Sequence, residues 1–146
     1  MTAQASRGQI TFRRVTAADA SLFADIARDV FDEPIRMDRL SAYLEAPGHL
    51  MVLALLDGVV VGQASAVIHM HPDKARELYV DEVGTASSHL RQGIATGMLK
   101  ELFAWGRELG CSEAWLGTEL DNYAAISLYR GFKGKEEAMN YFEFKL

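Results

Sequence analysis

Asp57-Gly58 divides one long apolar stretch into two runs, His49 to Leu56 and Val59 to about His69. Both residues tolerate the positive φ that a two-residue hairpin turn demands, so the spacing predicts two antiparallel strands closed by a tight turn. A second turn, His71-Pro72-Asp73-Lys74, leads to Glu77 through Thr85, which carries Leu78, Tyr79, Val80 and Val83. These three runs should form an antiparallel meander. The apolar period then changes. Met98, Leu102, Trp105 and Leu109, joined by Leu99 and Phe103, trace the stripe of an amphipathic helix of roughly four turns, and Gly110 can cap its end. Ala114 through Thr118 reads as a strand reached through that helix, and so as parallel to the strand before it.

Upstream, Ile10, Phe12 and Val15 alternate within Gln9 to Val15, a first strand. Thr16 stands as an N-cap, and Leu22, Phe23, Ile26 and Val30 keep helical spacing, predicting a helix to about Phe31 that Pro34 ends. Met37, Leu40, Tyr43 and Leu44 suggest a second, short helix ending near Pro47-Gly48. Downstream, Asp121 or Asn122 can cap a helix reaching Tyr129. Ala138 to Leu146, with Tyr141 or Phe142 and Phe144 alternating, closes the chain as a strand that could be split in two. The expected fold is α+β: one domain over residues 9–146 behind a flexible, polar 1–8 stretch, with a mixed central sheet of six to seven strands flanked by about four helices.

A chain of 146 residues can bury a core without disulfides. Its single cysteine, Cys111, excludes an internal disulfide or cysteine-rich zinc site and is consistent with a reducing cytoplasm. Residues Met1 to Gly8 lack the apolar core of a secretory signal, and no apolar run approaches the roughly 20 residues that span a bilayer. The net charge of −5 argues mildly against nucleic acid and suits a cationic partner better, although simple solubility is by itself sufficient to account for it. His69 and His71 beside Asp73 have no third well-spaced ligand, so no metal site is expected. Cys111 has no nearby histidine and does not read as a nucleophile. Trp105 and Trp115 read as core or interface residues, and an exposed last strand could pair across a two-fold axis in a homodimer.

The segment from Ala86 to Ala95 joins a strand directly to the Met98–Leu109 helix. Free N–H groups and the dipole at a helix N-terminus favour a phosphate. Gly93 allows close backbone approach, Ala95 adds little bulk, and Arg91 and Gln92 can add donors. An ordinary strand-to-helix turn accounts for the spacing as well. Neither the Gly-Lys-Ser/Thr of a Walker loop nor the three-glycine dinucleotide fingerprint is present.

Glu82-Val83-Gly84-Thr85 followed by Arg91-Gln92-Gly93-Ile94-Ala95-Thr96 resembles the acetyl-CoA motif of the GNAT N-acetyltransferase superfamily, and Asn122-Tyr123-Ala124-Ala125-Ile126-Ser127-Leu128-Tyr129 resembles its second motif, Asn-x-x-Ala-x-x-Leu-Tyr. Their order, and the elements from about Ile10 to Leu146, match the family fold. Two positions depart from it: Leu90 stands where the family has Arg or Gln, and Lys133 where it tends to have Gly. The resemblance implies acetyl-CoA as co-substrate. Its pyrophosphate would lie on the Arg91–Thr96 loop, and its pantetheine arm would pair with the backbone of Val83, Gly84 and Thr85 between the splayed fourth and fifth strands. Asn122 would hydrogen-bond the arm or simply cap its helix, Ala125 would lie beside it, and Tyr129 would protonate the leaving thiolate.

An attacking amine must lose a proton, and the resemblance makes Glu82 its first acceptor and Asp81 its second. Strict alternation would put these neighbours on opposite faces unless the strand bulges, as strands of this family often do. Phe31-Asp32-Glu33-Pro34 and Glu77 to Val83 are similar to type I aminoglycoside 3-N-acetyltransferases, which implies that Asp29, Asp32 and Glu33 face a cationic small-molecule amine. Two alternatives stay open: a GNAT enzyme acting on a polyamine, an amino-acid derivative or a protein N-terminus, and a non-catalytic acyl-CoA-binding regulatory module.

Overall fold

The computed structural model describes residues 8–146; apart from Gly8, the expected flexible 1–8 stretch lies outside the described residues. Two compact units are described separately, one ending at Leu116 and one comprising Gly117–Leu146. The first contains β1 (Thr11–Arg14), α1 (Met37–Glu45), β2 (His49–Leu56), β3 (Val59–His69), β4 (Arg76–Thr85), α2 (Ile94–Glu108) and β5 (Cys111–Trp115). The second contains α3 (Tyr123–Gly131). The strands form one mixed sheet in the order β1-β2-β3-β4-β5, antiparallel except for the parallel β4–β5 pair.

Local chemistry accounts for the centre of this sheet. Asp57 and Gly58 both take positive φ, 50° and 79°, and set Leu56 opposite Val59. Val52, Leu53 and Ala54 of β2, with Val60, Val61 and Ala64 of β3, are fully buried or within 1 % of it, which explains two nearly continuous apolar runs. From α2, Ile94, Met98, Leu99 and Leu102 bury one stripe against the sheet. The added Cβ that would clash with Ile94 and Met98 is that of Gly62, and Leu78 lies against Gly106, so Gly62 and Leu78 mark the face that α2 covers. Arg14 ties β1 to α2 by pairing with Glu101 at 2.6 Å and Glu108 at 2.5 Å. Its guanidinium also lies 5.5 Å from the ring centre of Trp105, a structural place for that tryptophan.

Four expectations are corrected. The helix predicted through Phe31 is a single 3-10 turn, Ala20–Ala24, followed by irregular chain. β3 runs past the end of β4, and its open edge captures this segment: Ile26 bridges Val60 in parallel, Val60 N–H donates to Asp25 O and Ala27 N–H to Val60 O, both at 2.9 Å. Thr16 does not cap an α-helix; its N–H donates to Asp19 Oδ2 at 2.8 Å, and Asp19 Oδ1 accepts from Arg13 Nη2 at 2.6 Å. β5 starts at Cys111 instead of Ala114, because Gly110, at φ 88°, turns the chain straight out of α2. The predicted strand over Ala138–Leu146 is absent, leaving five strands and three α-helices among the described residues in place of six to seven and about four. Alternation gave that segment a face but no ladder partner, and Tyr141, Phe142 and Phe144 stay exposed. No helix among the described residues is long and apolar enough to cross a membrane.

Candidate active site

The loop after β4 holds two left-handed residues, Arg91 at φ 59° and Gly93 at φ 75°. Gly93 is the N-cap of α2, and the first intrahelical bond runs from Gly97 N–H to Gly93 O at 2.9 Å. The N–H groups of Ile94, Ala95 and Thr96 therefore have no partner within the helix, and no side chain caps them. A left-handed residue followed by a right-handed one turns successive N–H groups into a concave anion nest. The buried side chain of Ile94 anchors this nest, whereas Leu90 projects outward and is 58 % exposed.

Beside the nest, β4 and β5 separate. Their pairing runs from Arg76↔Cys111 to Tyr79↔Trp115 and then stops. From Val80 to Thr85, the edge of β4 turned toward β5 has no ladder partner among the described residues, so Val83, Gly84 and Thr85 offer free backbone groups there. Gly84 has a separate structural reason: a Cβ at this position would lie 2.2 Å from the Val30 carbonyl oxygen. The close pass of the 25–36 segment thus requires glycine.

The two acidic neighbours fall on one face. Ser65 pairs with Glu82 but Ala66 pairs with Val80, so Asp81 is the extra residue of a bulge. Leu78 and Val80 turn toward α2, and the bulge leaves both carboxylates on the other side, the face of α1. Burial, reinforced by both carboxylates, pushes the Tyr43 phenol of α1 up to about 12, and its hydroxyl donates to Leu50 O at 3.1 Å. Partial burial, then the negative charges of Asp81 and Asp32, raise the carboxyl of Glu82, while a hydrogen bond from Gln63 works against them.

That bond comes from within the core. Gln63 is 2 % exposed, and its Nε2 donates to Glu82 Oε2 at 3.3 Å and to Val30 O at 3.5 Å. Its Oε1 has no partner among the described residues. No lysine or arginine among the described residues pairs with Glu82, Asp81, Asp29, Asp32 or Glu33. Asp29, at φ 68°, lines a surface hollow of about 330 Å³ together with Asp32, Glu33 and Ala27. All three acids expected to face a substrate line this hollow, and the negative charge of Asp32 also raises the carboxyl of Glu82.

In the second unit, Asn122 Oδ1 accepts from the Ala125 N–H at 3.2 Å and caps α3. This is the plain capping role, and it leaves the carboxamide N–H groups available. Burial raises the Tyr129 phenol, keeping it protonated at neutral pH. Sequence reasoning missed Gln63, Tyr43 and the Val30 carbonyl. Gln63 carried a readable signal, a long polar side chain inside the apolar Val59–Ala66 run.

The sequence model of the Acetyltransferase (GNAT) family matches residues 20–132. N-acetyltransferase family 8 member 2 of Rattus norvegicus is 33 % identical over 106 residues, covering 72 % of this chain and 46 % of that protein. N-alpha-acetyltransferase 30 of Xenopus laevis is 27 % identical over 137 residues, covering 90 % and 50 %. The chain thus spans about half the length of these curated relatives. An aminoglycoside acetyltransferase from an uncultured soil metagenomic sample, solved with trehalose, superposes with a TM-score of 0.84 at 20 % identity, covering 94 % of this chain and 96 % of that one.

Proposed function

Since the chain belongs to the acetyltransferase (GNAT) family, whose acetyl donor is acetyl-CoA, we propose that it moves an acetyl group to a primary amine of a polycationic small molecule, with an aminoglycoside as the best fit. The observation that carries this reading is the cluster of Glu82, Asp81 and Asp32, with no lysine or arginine among the described residues paired to it. Carboxylates left unpaired beside a hollow suit several ammonium groups, which they orient by charge-assisted hydrogen bonds.

The cradle fits acetyl-CoA in two places. The uncapped N–H groups of Ile94, Ala95 and Thr96, with Arg91 and Gln92 beside them, suit a pyrophosphate. The unpaired β4 edge at Val83, Gly84 and Thr85 suits an arm with amide groups. When bound, the thioester supplies an activated acetyl carbon. Glu82 takes the proton from the attacking amine as the new C–N bond forms, and its raised carboxyl is a stronger base than an ordinary surface glutamate. Asp81 holds a second ammonium. On the family resemblance Tyr129 gives its proton to the sulfur as the C–S bond breaks, and Asn122, accepting from the Ala125 N–H, caps the helix that carries it. Gln63 fixes the rotamer of Glu82.

A second reading is acetylation of a protein N-terminus, favoured by the match to N-alpha-acetyltransferase 30 over 90 % of the chain. A thiol-release assay with acetyl-CoA against an aminoglycoside panel, spermidine and peptides separates the two. Turnover with aminoglycosides is expected. Turnover confined to peptides or spermidine would replace the substrate, and acetyl-CoA binding without turnover on any amine would leave only a binding module.

A further inference from the structure

We propose that His69, His71 and Glu77 form a site for a zinc-class divalent transition metal at the turn end of the β3–β4 hairpin. The ladder itself assembles it. His69, the last residue of β3, stands opposite Glu77 of β4, and cross-strand partners project to the same face. The turn after His69 brings His71 back over both. One ligand atom from each residue lies within 4.8 Å of the other two. His71 Nε2 is 3.1 Å from Glu77 Oε2, and the two imidazole rings are 4.2 Å apart, centre to centre.

These spacings can be compared with the coordination they would serve. Zinc bonds of about 2.0–2.1 Å in a tetrahedron separate neighbouring ligand atoms by roughly 3.3 Å. His71 and Glu77 already stand near that distance, and their side chains are only 14 % and 18 % exposed, so half of the site is held in place. His69 is exposed and closes the set by side-chain rotation. The nearby cation, Lys74, approaches the other carboxylate oxygen, Oε1, at 3.7 Å and is 57 % exposed, so it leaves Oε2 to the His71 hydrogen bond that a metal would replace, and it can swing into solvent. Two imidazoles and one carboxylate select zinc, nickel or copper over magnesium and calcium, which take oxygen ligands. Three protein ligands leave a fourth position to water. Such a metal pins the hairpin whose β4 strand carries Glu82, at the opposite end from that residue.

The test is titration of tag-free, chelator-stripped full chain with Zn2+, followed by calorimetry and thermal melting, with Mg2+ as control. One equivalent should bind and raise the melting temperature, and Mg2+ should do neither. Loss of an outer-shell partner alone costs about 10–100-fold in metal affinity, so His71→Ala, His69→Ala and Glu77→Gln should each weaken binding by at least about tenfold. Co2+ should give a tetrahedral visible spectrum that His71→Ala abolishes, while acetyl transfer by that variant stays at the wild-type rate. Failure of the wild type to bind one equivalent, or unchanged affinity in His71→Ala, would overturn the site.

Discussion

The carboxamide of Gln63, sealed in the core, donates to the carboxylate of Glu82 at 3.3 Å. This bond opposes the burial and the negative neighbours that raise Glu82. Replacing Gln63 with Leu removes the opposition, so the carboxyl must rise further. The acid limb of the kcat/KM profile should then move to higher pH relative to wild type. A limb that stays in place would separate Gln63 from the base.

Glu82→Gln should lower kcat by roughly 10²–10³, within the range general bases contribute, while the KM for acetyl-CoA stays near wild type. Asp81→Asn should raise the KM for the amine and change kcat by less than about tenfold. Steady-state kinetics with both substrates varied read the two effects apart. Equal losses in kcat would mean that the bulged pair acts as one unit.

Tyr129→Phe should reduce turnover by at least about tenfold and leave acetyl-CoA binding nearly unchanged, because the phenol is needed only when the thiolate leaves. Calorimetric titration alongside kcat makes the comparison. Parallel loss of both would remove the acid role.

The hold on pyrophosphate should rest on backbone N–H groups. Gly93 meets nothing within 4 Å, so its side chain is excluded by its φ of 75° and not by crowding. Gly93→Ala pays about 1–2 kcal/mol for a left-handed alanine, and acetyl-CoA affinity should fall roughly tenfold as the nest opens. Arg91→Ala should cost less. Since Arg91 itself lies at φ 59°, Arg91→Gly should raise the melting temperature.

Asp19 links acid stability to the start of the fold. Arg13, and then the Thr16 backbone and hydroxyl, hold its carboxyl below the ordinary value of 3.8. A depressed folded value means stability that is complete above about pH 4 and lost as pH falls through the folded value. Asp19→Asn should lower the melting temperature at pH 7 by several degrees and remove part of the acid sensitivity below pH 4. A constant difference between variant and wild type at every pH would exclude the linkage.

What sequence alone revealed followed the range of the forces involved. The Asp57-Gly58 turn and the α2 stripe are local decisions, made by φ preferences and a 3.6-residue period, and both formed where expected. The loop from Arg91 to Thr96 was legible for the same reason, since its free N–H groups follow from the start of a helix. Ile26 was not, because its helical spacing lost to an open strand edge at Val60, 34 positions away. The Ala138–Leu146 segment shows the converse: alternation without an edge to pair with leaves no strand. Asp81 and Glu82 were identified as a pair, but only the register against Ser65 and Ala66 puts them on one face. Gln63 acts on Glu82 across the ladder, a relation with no linear spacing to read.

The later part of the segment between β1 and α1 is anchored to the sheet by the Ile26 bridge to Val60 and by the Val30 carbonyl over Gly84. Beyond those anchors, Asp32 through Ile35 contribute no rung to the sheet and remain largely at the surface. The proposed acceptor wall thus meets the proposed donor cradle at one anchor, where the Val30 carbonyl passes over Gly84, and is otherwise free of the ladder. On the proposed reading, substitutions from Asp32 to Ile35 would change which amine is accepted while leaving the residues of the thioester cradle as they are.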